Sequence, residues 1–398
     1  MSEWKKVKLG ESCTKIGSGA TPKGGSTVYI SNGTSFIRSQ NVYNLRFDYN
    51  GLTYINDEAA EKLKGVSVIE NDILLNITGD SVARTCIVPN TILPARVNQH
   101  VAIIRAKSEL LNQKYLNYYL ASPAMQAYML SLAVGKGASR NAITKLMIEN
   151  FEVPCPSLEV QCRIAEILSR YDSLIENYQK QIKLLEESAQ RLYKEWFVDL
   201  CFPGHENTKI VDGVPEGWEK KKLIDFTNIV MGQSPKSEFY NNDKMGLPFH
   251  QGVGSFGSRF VVDNVYSSCF TKIAESNSIL FSVRAPVGRI NITNNKVAIG
   301  RGLASINHKR GFQSFLYYLL KSFFFEENII GNGAIFASIS KDDLYNLLFL
   351  IPDEKLVMDF NKVASEFDGK IKNISNQICI LTEARDRLLP KLMNGEFL

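Results

Sequence analysis

The sequence predicts an α+β fold in which two mixed, β-rich globular segments alternate with two long helices that form a coiled coil. Residues 164–196 carry apolar side chains at alternating steps of four and three, the heptad spacing of helices that pack along a seam. The same spacing recurs over residues 360–388, where Arg385 is its one charged member. Nine residues of the first helix recur 196 positions later, which indicates an internal, twofold-like repeat. The chain is therefore expected to run as globule, helix, globule, helix.

The first globular segment is assigned to residues 1–155 and is predicted to be rich in strands. It contains a turn motif, Gly19-Ala20-Thr21-Pro22-Lys23, in which glycine and proline fix the turn and the lysine stands beyond it. Residues 71–79 and 97–104 are apolar and β-branched runs typical of buried strands. A short apolar strand at residues 151–154 closes the segment just before the helix.

The first long helix is assigned to residues 156–202, with Ser157 as a predicted N-cap. One apolar seam cannot bury itself, so a second helix is needed as a partner. Ala189 and Trp196 continue the heptad spacing. The seam residues predicted to face the partner helix are Ile164, Leu168, Tyr171, Ile175, Tyr178, Ile182, Leu185 and Leu192.

The second globular segment is assigned to residues 203–351 and opens with a polar linker that contains glycine and proline. Its turn motif, Gly232-Gln233-Ser234-Pro235-Lys236, matches that of the first segment at nearly the same distance from a tryptophan. Residues 277–285 and 300–306 correspond to the two buried strands of the first segment, and residues 349–352 close the second one. The two halves are therefore predicted to be divergent copies of one unit.

The second long helix is assigned to residues 352–398, with Asp353 as a predicted N-cap. Pro390 is expected to end or kink this helix near Leu389, because proline lacks the amide hydrogen that a helix interior requires. The shared seam should then stop at Leu388. The seam residues predicted for this helix are Phe360, Phe367, Ile371, Ile374, Ile378, Leu381 and Leu388.

The composition is that of a globular protein, with 44% apolar and 22% charged residues. No apolar run approaches the roughly 20 residues of a membrane span, so no membrane association is expected. The seven cysteines are odd in number and scattered without a CxxC pair, which favours reduced thiols in the cytoplasm and argues against a zinc site. The net charge of +5 comes from the two globular segments and not from the helices, which is compatible with nucleic-acid binding.

Polar side chains cluster in the predicted loops, where they are better suited to recognising the surface of a binding partner by hydrogen bonds than to catalysing a reaction. Asparagine and glutamine can form two hydrogen bonds with adenine, and arginine or lysine can do so with guanine. Taken singly, each candidate is more often a solvated loop residue, and strand alternation implies that Asn98 or Gln99 faces the core or a turn. The hypothesis depends on clusters recurring in both segments. The candidate DNA-binding residues are Thr21, Lys23, Arg84, Asn98, Gln99, His100, Lys136, Ser139, Arg140, Asn141, Ser234, Lys236, His250, Gln251, Arg284, Arg289, Arg301 and Asn332.

No catalytic or metal-binding motif is recognised in the sequence. It has no HExxH, no GxSxG, no phosphate-binding glycine loop, and no Asn-Pro-Pro-aromatic run of the kind that methylates exocyclic amines. Two other functional classes remain open from the residues alone. One is a structural adaptor whose globular segments bind proteins, and the other is a nuclease, which would need an acidic cluster that neither repeat shows.

Across its entire length the chain resembles the specificity (S) subunits of type I restriction–modification enzymes. The resemblance is carried by residues 4–9, 19–22, 97–100, 154–165 and 196–199, by the link at 213–219 and by the tail at 388–395. The order of these motifs is itself specific. One departure is that residues 352–360 lack the Glu-x-Gln-like pattern of the first helix junction, which bears on partner docking.

The resemblance implies two target-recognition domains held apart by antiparallel helices, each reading one half of an asymmetric, bipartite sequence in double-stranded DNA. It also implies that the chain is not catalytic and binds no cofactor itself. Two modification subunits would use S-adenosylmethionine to methylate adenine. Restriction subunits would use ATP and magnesium to translocate and cleave DNA.

Overall fold

The structure, a computed structural model, describes residues 4–134, 142–325 and 338–396. The chain forms two compact units: unit 1 comprises Met1–Tyr178 and Gln377–Leu398, and unit 2 comprises Gln179–Asn376. Each unit therefore contains one globular segment together with part of each long helix. The predicted boundaries at residues 155, 202 and 351 separate globular segments from long helices, whereas the two units divide within the helices. Those domain boundaries stay a prediction.

Unit 1 is built from short strands and helices that precede the first long helix. Its strands are β1 (Lys6–Lys8), β2 (Cys13–Ser18), β3 (Tyr29–Ile30), β4 (Thr34–Ile37), β5 (Val42–Tyr43), β6 (Arg46–Phe47), β7 (Thr53–Ile55), β8 (Ser67–Val68), β9 (Ile73–Asn76), β10 (Thr85–Ile87), β11 (Ala95–Val97), β12 (Val101–Ala106) and β13 (Glu152–Pro154). Its short helices are α1 (Leu9–Ser12), α2 (Asp57–Lys62), α3 (Gln113–Ala121), α4 (Pro123–Ala133) and α5 (Lys145–Glu149).

Two sheets form the body of unit 1. One is a four-stranded antiparallel sheet of order β10-β9-β12-β2, and the other is a five-stranded sheet of order β3-β7-β4-β11-β8 with a parallel β4–β11 pair. Strand β9 is buried throughout because both of its faces are covered: Ile73 and Leu75 join one core cluster, and Leu74 joins another. The buried strand predicted at residues 71–79 is confirmed by this packing.

Unit 2 repeats this arrangement. Its strands are β14 (Ile210–Val211), β15 (Val214–Pro215), β16 (Glu219–Lys222), β17 (Thr227–Met231), β18 (Tyr240–Asn241), β19 (Leu247–His250), β20 (Tyr266–Ser267), β21 (Ile273–Ala274), β22 (Ile279–Ser282), β23 (Ile290–Ile292), β24 (Val297–Ile299), β25 (Leu303–His308) and β26 (Leu348–Ile351). The helices along the chain are the long α6 (Leu158–Phe197), then α7 (Leu223–Phe226), α8 (Gln313–Phe325), α9 (Lys341–Tyr345) and the long α10 (Glu354–Met393).

The sheets of unit 2 have the same strand order as those of unit 1. The four-stranded sheet runs β17-β25-β22-β23, and the five-stranded sheet runs β18-β20-β19-β24-β21 with a parallel β19–β24 pair. Ile279 and Phe281 of β22 enter one core cluster while Leu280 enters another, as in β9. The predicted internal repeat is therefore confirmed for both main sheets.

Helices α6 and α10 are each 40 residues long, which corresponds to about 60 Å of helix. Their N-termini are capped as the sequence predicts. The amide of Val160 donates to the Ser157 hydroxyl at 3.4 Å, and the amide of Leu356 donates to the Asp353 carboxylate at 3.0 Å.

Within each unit the two long helices contribute to one core. In unit 1, Ile164 and Leu168 of α6 share a cluster with Leu389 and Leu392 of α10, which places the start of α6 beside the end of α10. In unit 2, Ala189 and Tyr193 of α6 share a cluster with Phe360 and Ala364 of α10. The pairing is antiparallel in both units. The seam residues that are buried are Ile164, Leu168, Ile175, Phe360 and Ile371, and the other predicted seam residues are half-buried.

The predicted end of the helix near Leu389 is wrong, because α10 continues through Pro390 to Met393. Leu389, Leu392 and Met393 are all buried in the core of unit 1, so packing holds the last turn in place.

No helix within the described part of the chain is both long enough and apolar enough to cross a membrane.

Candidate nucleic-acid interface

The glycine of the turn motif in unit 1 brings two loops into contact. The amide of Gly19 donates to the Val101 carbonyl at 2.9 Å, and the amide of Ala20 donates to the Val97 carbonyl at 3.0 Å. A Cβ atom on Gly19 would lie only 1.9 Å from the Val97 oxygen, so no other residue fits without a backbone shift. This approach brings the Thr21 hydroxyl onto the Gln99 amide oxygen, to which it donates a hydrogen bond.

Unit 2 uses its glycine in the same way. The amide of Gly232 donates to the Leu303 carbonyl at 2.9 Å, and the amide of Gln233 donates to the Ile299 carbonyl at 2.9 Å. A Cβ atom on Gly232 would lie 2.2 Å from the Gly300 oxygen. The next residue, Ser234, accepts a hydrogen bond from the amide of Arg301 at 3.2 Å. The recurring Gly-x-[Thr/Ser] pattern thus orders the loop that carries Gln99 in unit 1 and Arg301 in unit 2.

Four side chains form a connected set that we call the unit 1 polar cluster: Thr21, Thr78, Gln99 and His100. The Thr78 hydroxyl lies 2.6 Å from His100 Nδ1, and Gln99 Nε2 lies 3.3 Å from His100 Nε2. The neighbouring Asn98 is buried and accepts from the amide of His100 at 3.1 Å, so it shapes the loop. The sequence predicts that one of Asn98 and Gln99 faces the core or a turn, and in the structure this residue is Asn98, while Gln99 is exposed.

The unit 2 polar cluster consists of Ser234, Gln251, Arg284 and Arg301. Gln251, Arg284 and Arg301 line one open cleft of about 190 Å³ and are all exposed. Neither the Arg284 nor the Arg301 guanidinium has a hydrogen bond or ion pair with any residue in the described ranges. Both groups are therefore available to a ligand that offers hydrogen-bond acceptors.

His250 is not suited to the predicted role of a DNA contact. It is only 1% exposed, and both ring nitrogens have partners: Nδ1 lies 2.8 Å from the Ser255 hydroxyl, and Nε2 lies 3.1 Å from the Asp263 carboxylate. A buried imidazole with these partners stabilises the loop after β19. The exposed neighbour Gln251 remains a candidate.

The other described candidates lie around these clusters. Lys23, Lys236 and Arg289 are exposed, with Lys236 3.8 Å from Glu238 in a surface ion pair. Arg84 is half-buried and stacks on the Tyr43 ring at 4.7 Å, as Arg46 does at 4.8 Å. Their contacts with DNA stay a prediction. Lys136, Ser139, Arg140, Asn141 and Asn332 lie outside the described residues.

A buried tyrosine–aspartate–arginine contact joins the globular part of unit 1 to both long helices. The Tyr118 hydroxyl of α3 donates to Asp172 of α6, and Arg385 of α10 contacts the same carboxylate at 2.6 Å. Burial and the nearby Asp172 charge raise the pKa of Tyr118, which keeps its hydroxyl protonated as a donor.

Unit 2 has the corresponding contact with its arginine drawn from a different element. The Tyr318 hydroxyl of α8 donates to Asp368 of α10 at 3.0 Å. The cation is Arg259, from the segment between β19 and β20, which pairs with Asp368 and with Glu186 of α6 at 3.4 Å. The sequence analysis did not predict either contact. The internal repeat aligns Asp172 with Asp368, and Tyr118 and Tyr318 lie in corresponding helical stretches of the two halves.

The chemistry of the two clusters is that of hydrogen-bond recognition. Amide, guanidinium, hydroxyl and imidazole groups are exposed or half-exposed on loops, with no carboxylate in either cluster. Among residues 4–134, 142–325 and 338–396 no group of three or more histidine, cysteine or acidic side chains could hold a metal ion. The arrangement suits the edges of bases and the phosphates of a nucleic acid.

Comparison with known proteins places these features in a family. The family model of the type I restriction modification DNA specificity domain matches residues 1–187 and 215–363, well over half of the chain. The chain is 27% identical over 411 residues to the type I restriction enzyme MjaIX specificity subunit of Methanocaldococcus jannaschii, covering 98% of this chain and 92% of that protein. It is 24% identical over 474 residues to the HindI specificity subunit of Haemophilus influenzae, covering 100% of both.

A solved structure shows the same fold. The crystal structure of a type I restriction–modification system S subunit from M. genitalium aligns with a TM-score of 0.58 at 16% identity. The alignment covers 98% of this chain and 96% of that chain.

Proposed function

Because the chain belongs to the type I restriction–modification DNA specificity family, a family of non-catalytic recognition subunits, we propose that it selects an asymmetric bipartite DNA target. On this proposal, unit 1 reads one half of the target and unit 2 reads the other. The bases between the two half-sites are not read. Bound partner subunits then methylate an adenine in each half or cleave the DNA.

One observation carries the proposal: the two units share a strand order and a glycine-ordered loop, which carries Gln99 in unit 1 and Arg301 in unit 2, but they present unlike side chains. The unit 1 polar cluster offers an amide and an imidazole, whereas the unit 2 polar cluster offers two guanidinium groups. Two readers with the same frame and different donors and acceptors are expected to prefer different base pairs. Exposed lysines such as Lys23 and Lys236 would add phosphate contacts that bind any sequence.

The catalytic partners on this proposal are two modification subunits, which use S-adenosylmethionine, and restriction subunits, which use ATP and magnesium. This chain would bind none of these cofactors itself. The target adenine would flip into a modification subunit's pocket. We place the docking of modification subunits on the long helices, where Leu184 and Ile380 are 62% and 65% exposed.

We propose the cytoplasm as the site of action, since the substrate is the DNA of the cell. The seven cysteines support this location, because none forms a disulfide.

The test is to express the chain with its modification subunits in a host that lacks other adenine methylation, and to map methylated adenines by single-molecule sequencing. We expect one bipartite motif with unlike halves, which disappears when this chain is omitted. Binding without sequence preference and with little salt dependence would instead favour a protein-binding adaptor. Metal-dependent cleavage of DNA by the purified chain alone would contradict the proposal.

A further inference from the structure

Arg84 in unit 1 and Arg289 in unit 2 occupy the same position in the fold. Each immediately precedes the strand at one edge of the four-stranded sheet, β10 or β23. The Arg84 carbonyl accepts from the amide of Asn76 at 2.9 Å, and the Arg289 carbonyl accepts from the amide of Ser282 at 2.8 Å. The strand pairs that follow continue in the same register. The two arginines are therefore equivalent by backbone hydrogen bonding.

Both arginines lie at the end of the sheet that carries the polar clusters. Thr78 of the unit 1 polar cluster stands two residues beyond the end of β9, and Arg284 of the unit 2 polar cluster stands two residues beyond the end of β22. Strands β10 and β23 run antiparallel to these strands, so their first residues lie beside the same ends. A ligand that reaches either polar cluster is therefore close to the arginine as well.

In unit 1 the arginine is one of two cations that share an aromatic ring. The guanidinium carbons of Arg84 and Arg46 lie 4.7 Å and 4.8 Å from the centroid of the Tyr43 ring. The two charges are thus within about 10 Å of each other, the distance over which charges interact at 0.1 M salt. Neither guanidinium has a hydrogen bond or ion pair with any residue that the structure describes. Two like charges without a carboxylate repel each other, and a bound anion would remove that repulsion.

In unit 2 the equivalent arginine also stands beside a second cation and a tyrosine. Arg289, Lys321 and Tyr317 line one open cleft of about 400 Å³, and none of the described residues that line it is acidic. The Lys321 ammonium lies 5.9 Å from the centroid of the Tyr317 ring. The Ser258 residue also lines the cleft and can supply a hydroxyl donor.

The charge of Lys321 is not neutralised by a carboxylate of its own. Glu186 and Asp368 act on it, but both are already paired with the buried Arg259. Burial lowers the pKa of the Lys321 ammonium, and the Arg259 charge lowers it further. An anion in the cleft would favour the charged form of Lys321.

The two units build the same pair of charges from different elements. The arginine is common to both, whereas the second cation comes from β6 in unit 1, as Arg46, and from α8 in unit 2, as Lys321. Residues that read unlike bases are expected to differ between the units. A charge pair that is the same in both suits a ligand feature that both half-sites share, which is the sugar–phosphate backbone.

Resting on the proposed function, we infer that Arg84 with Arg46, and Arg289 with Lys321, form one phosphate-binding site in each unit. Each site holds a backbone phosphate of the half-site that its unit reads. The contact fixes the position of the DNA against the polar cluster and carries no preference for a base pair.

The experiment removes the two common arginines singly, as Arg84→Gln and Arg289→Gln, in the complex of the full chain with its modification subunits. Affinity is measured from about 50 to 200 mM salt for duplexes with the wild-type motif and with each single base-pair change. Each variant should bind all duplexes roughly tenfold more weakly, with base-pair preferences within about twofold of wild type. The slope of log K against log salt should be shallower by about 0.9, the contribution of one phosphate. Arg84→Lys and Arg289→Lys keep the charge and should retain the wild-type slope.

Duplexes with single methylphosphonate linkages, which lack the phosphate charge, locate each contact. One such linkage in the half-site of unit 1 should weaken binding of the wild type and not weaken Arg84→Gln any further. Arg289→Gln should behave in the same way at one linkage in the other half-site. Losses that simply add at every linkage would overturn the inference.

The control is Arg310→Gln, which removes an exposed arginine paired with Glu354 and should leave the affinity and the slope unchanged. A change of preference at one base pair would mark Arg84 or Arg289 as a base contact and overturn the inference. An unchanged slope together with a lower free energy of unfolding would mark a purely structural arginine and overturn it as well. A wild-type complex that shows no motif at all would overturn the proposed function instead, so the two failures are distinguishable.

Discussion

Replacing Arg259 by methionine should destabilise unit 2 and leave unit 1 largely unaffected. Arg259 is 1% exposed, and its guanidinium contacts Asp368, Glu186 at 3.4 Å and the Tyr318 hydroxyl at 3.3 Å. It also lies over the Tyr317 ring at 4.3 Å. Methionine keeps much of the side-chain length but removes the charge and all these donors.

The expected loss is about 3 kcal/mol. Removing one partner of a buried ion pair typically costs about 3–5 kcal/mol, because the other charge is left without compensation. The Asp368 and Glu186 side chains are 22% and 24% exposed, so water can partly solvate them, which favours the lower end of that range. The lost stacking on Tyr317 adds to the destabilisation.

Hydrogen exchange followed by mass spectrometry measures the two units separately. We expect about 100-fold faster exchange for peptides from α8 and β22 of unit 2, with little change for peptides from α3 and β9 of unit 1. Arg310→Met is the matched control. It breaks an ion pair whose side chains are 61% and 51% exposed, so its cost should stay below about 1 kcal/mol. A loss below about 1 kcal/mol for Arg259→Met, or equal losses in both units, would refute the reasoning.

Three further predictions concern pH, spacing and assembly. Burial, with a contribution from the Arg310 charge, lowers the pKa of His308 to about 4 in the folded protein. As the pH falls, the unfolded chain takes up a proton at this histidine at a higher pH than the folded protein does. The free energy of unfolding should therefore fall as the pH drops from about 6.5 to 4. His308→Asn keeps an acceptor for the Arg310 amide but cannot take up a proton. In urea unfolding at about pH 6.5 and pH 4, the variant should lose roughly 1–2 kcal/mol less unfolding free energy than the wild type, a modest difference because the ring is partly solvated. One heptad inserted after Tyr178 and one after Asn376 lengthen both long helices by about 10 Å. The unread spacer of the methylated motif should then widen by about three base pairs. An unaltered spacer would contradict the idea that the long helices set the spacer length. Leu184→Asp with Ile380→Asp should weaken the binding of a modification subunit, measured by titration, at least tenfold. Val211→Asp, at a residue that is 53% exposed outside the long helices, should not weaken it, and equal effects would contradict docking on the long helices.

The parts of the fold that follow from repeating patterns could be predicted from the sequence. The heptad seams of α6 and α10 required only the spacing of residues such as Ile164, Leu168 and Phe360. The paired turn motifs required only the recurrence of glycine before Thr21 and Ser234. The structure adds the reason for that recurrence, which is the close approach of each glycine to the loop opposite.

The parts that depend on distant partners could not be predicted. Arg259 is an ordinary loop arginine in the sequence, and its partners Glu186 and Asp368 are 73 and 109 residues away. His250 was a candidate DNA contact because it stands beside Gln251, but its burial depends on Asp263 and Ser255 in the following loop.

The continuation of α10 past Pro390 was also beyond local rules. The penalty for proline in a helix is real, but here three buried residues of the last turn outweigh it. In contrast, Thr78 could have been found as a site residue, since the sequence repeat already aligns it with Arg284.

The most direct test of two independent readers is to replace residues 1–155 with the same region of a relative that has a different target, and then to map the methylated motif. The junction falls between β13 and the start of α6, so both long helices are kept intact. One half of the motif should change to that of the relative, while the other half and the spacer length stay the same. A motif that changes in both halves, or in neither, would contradict the account.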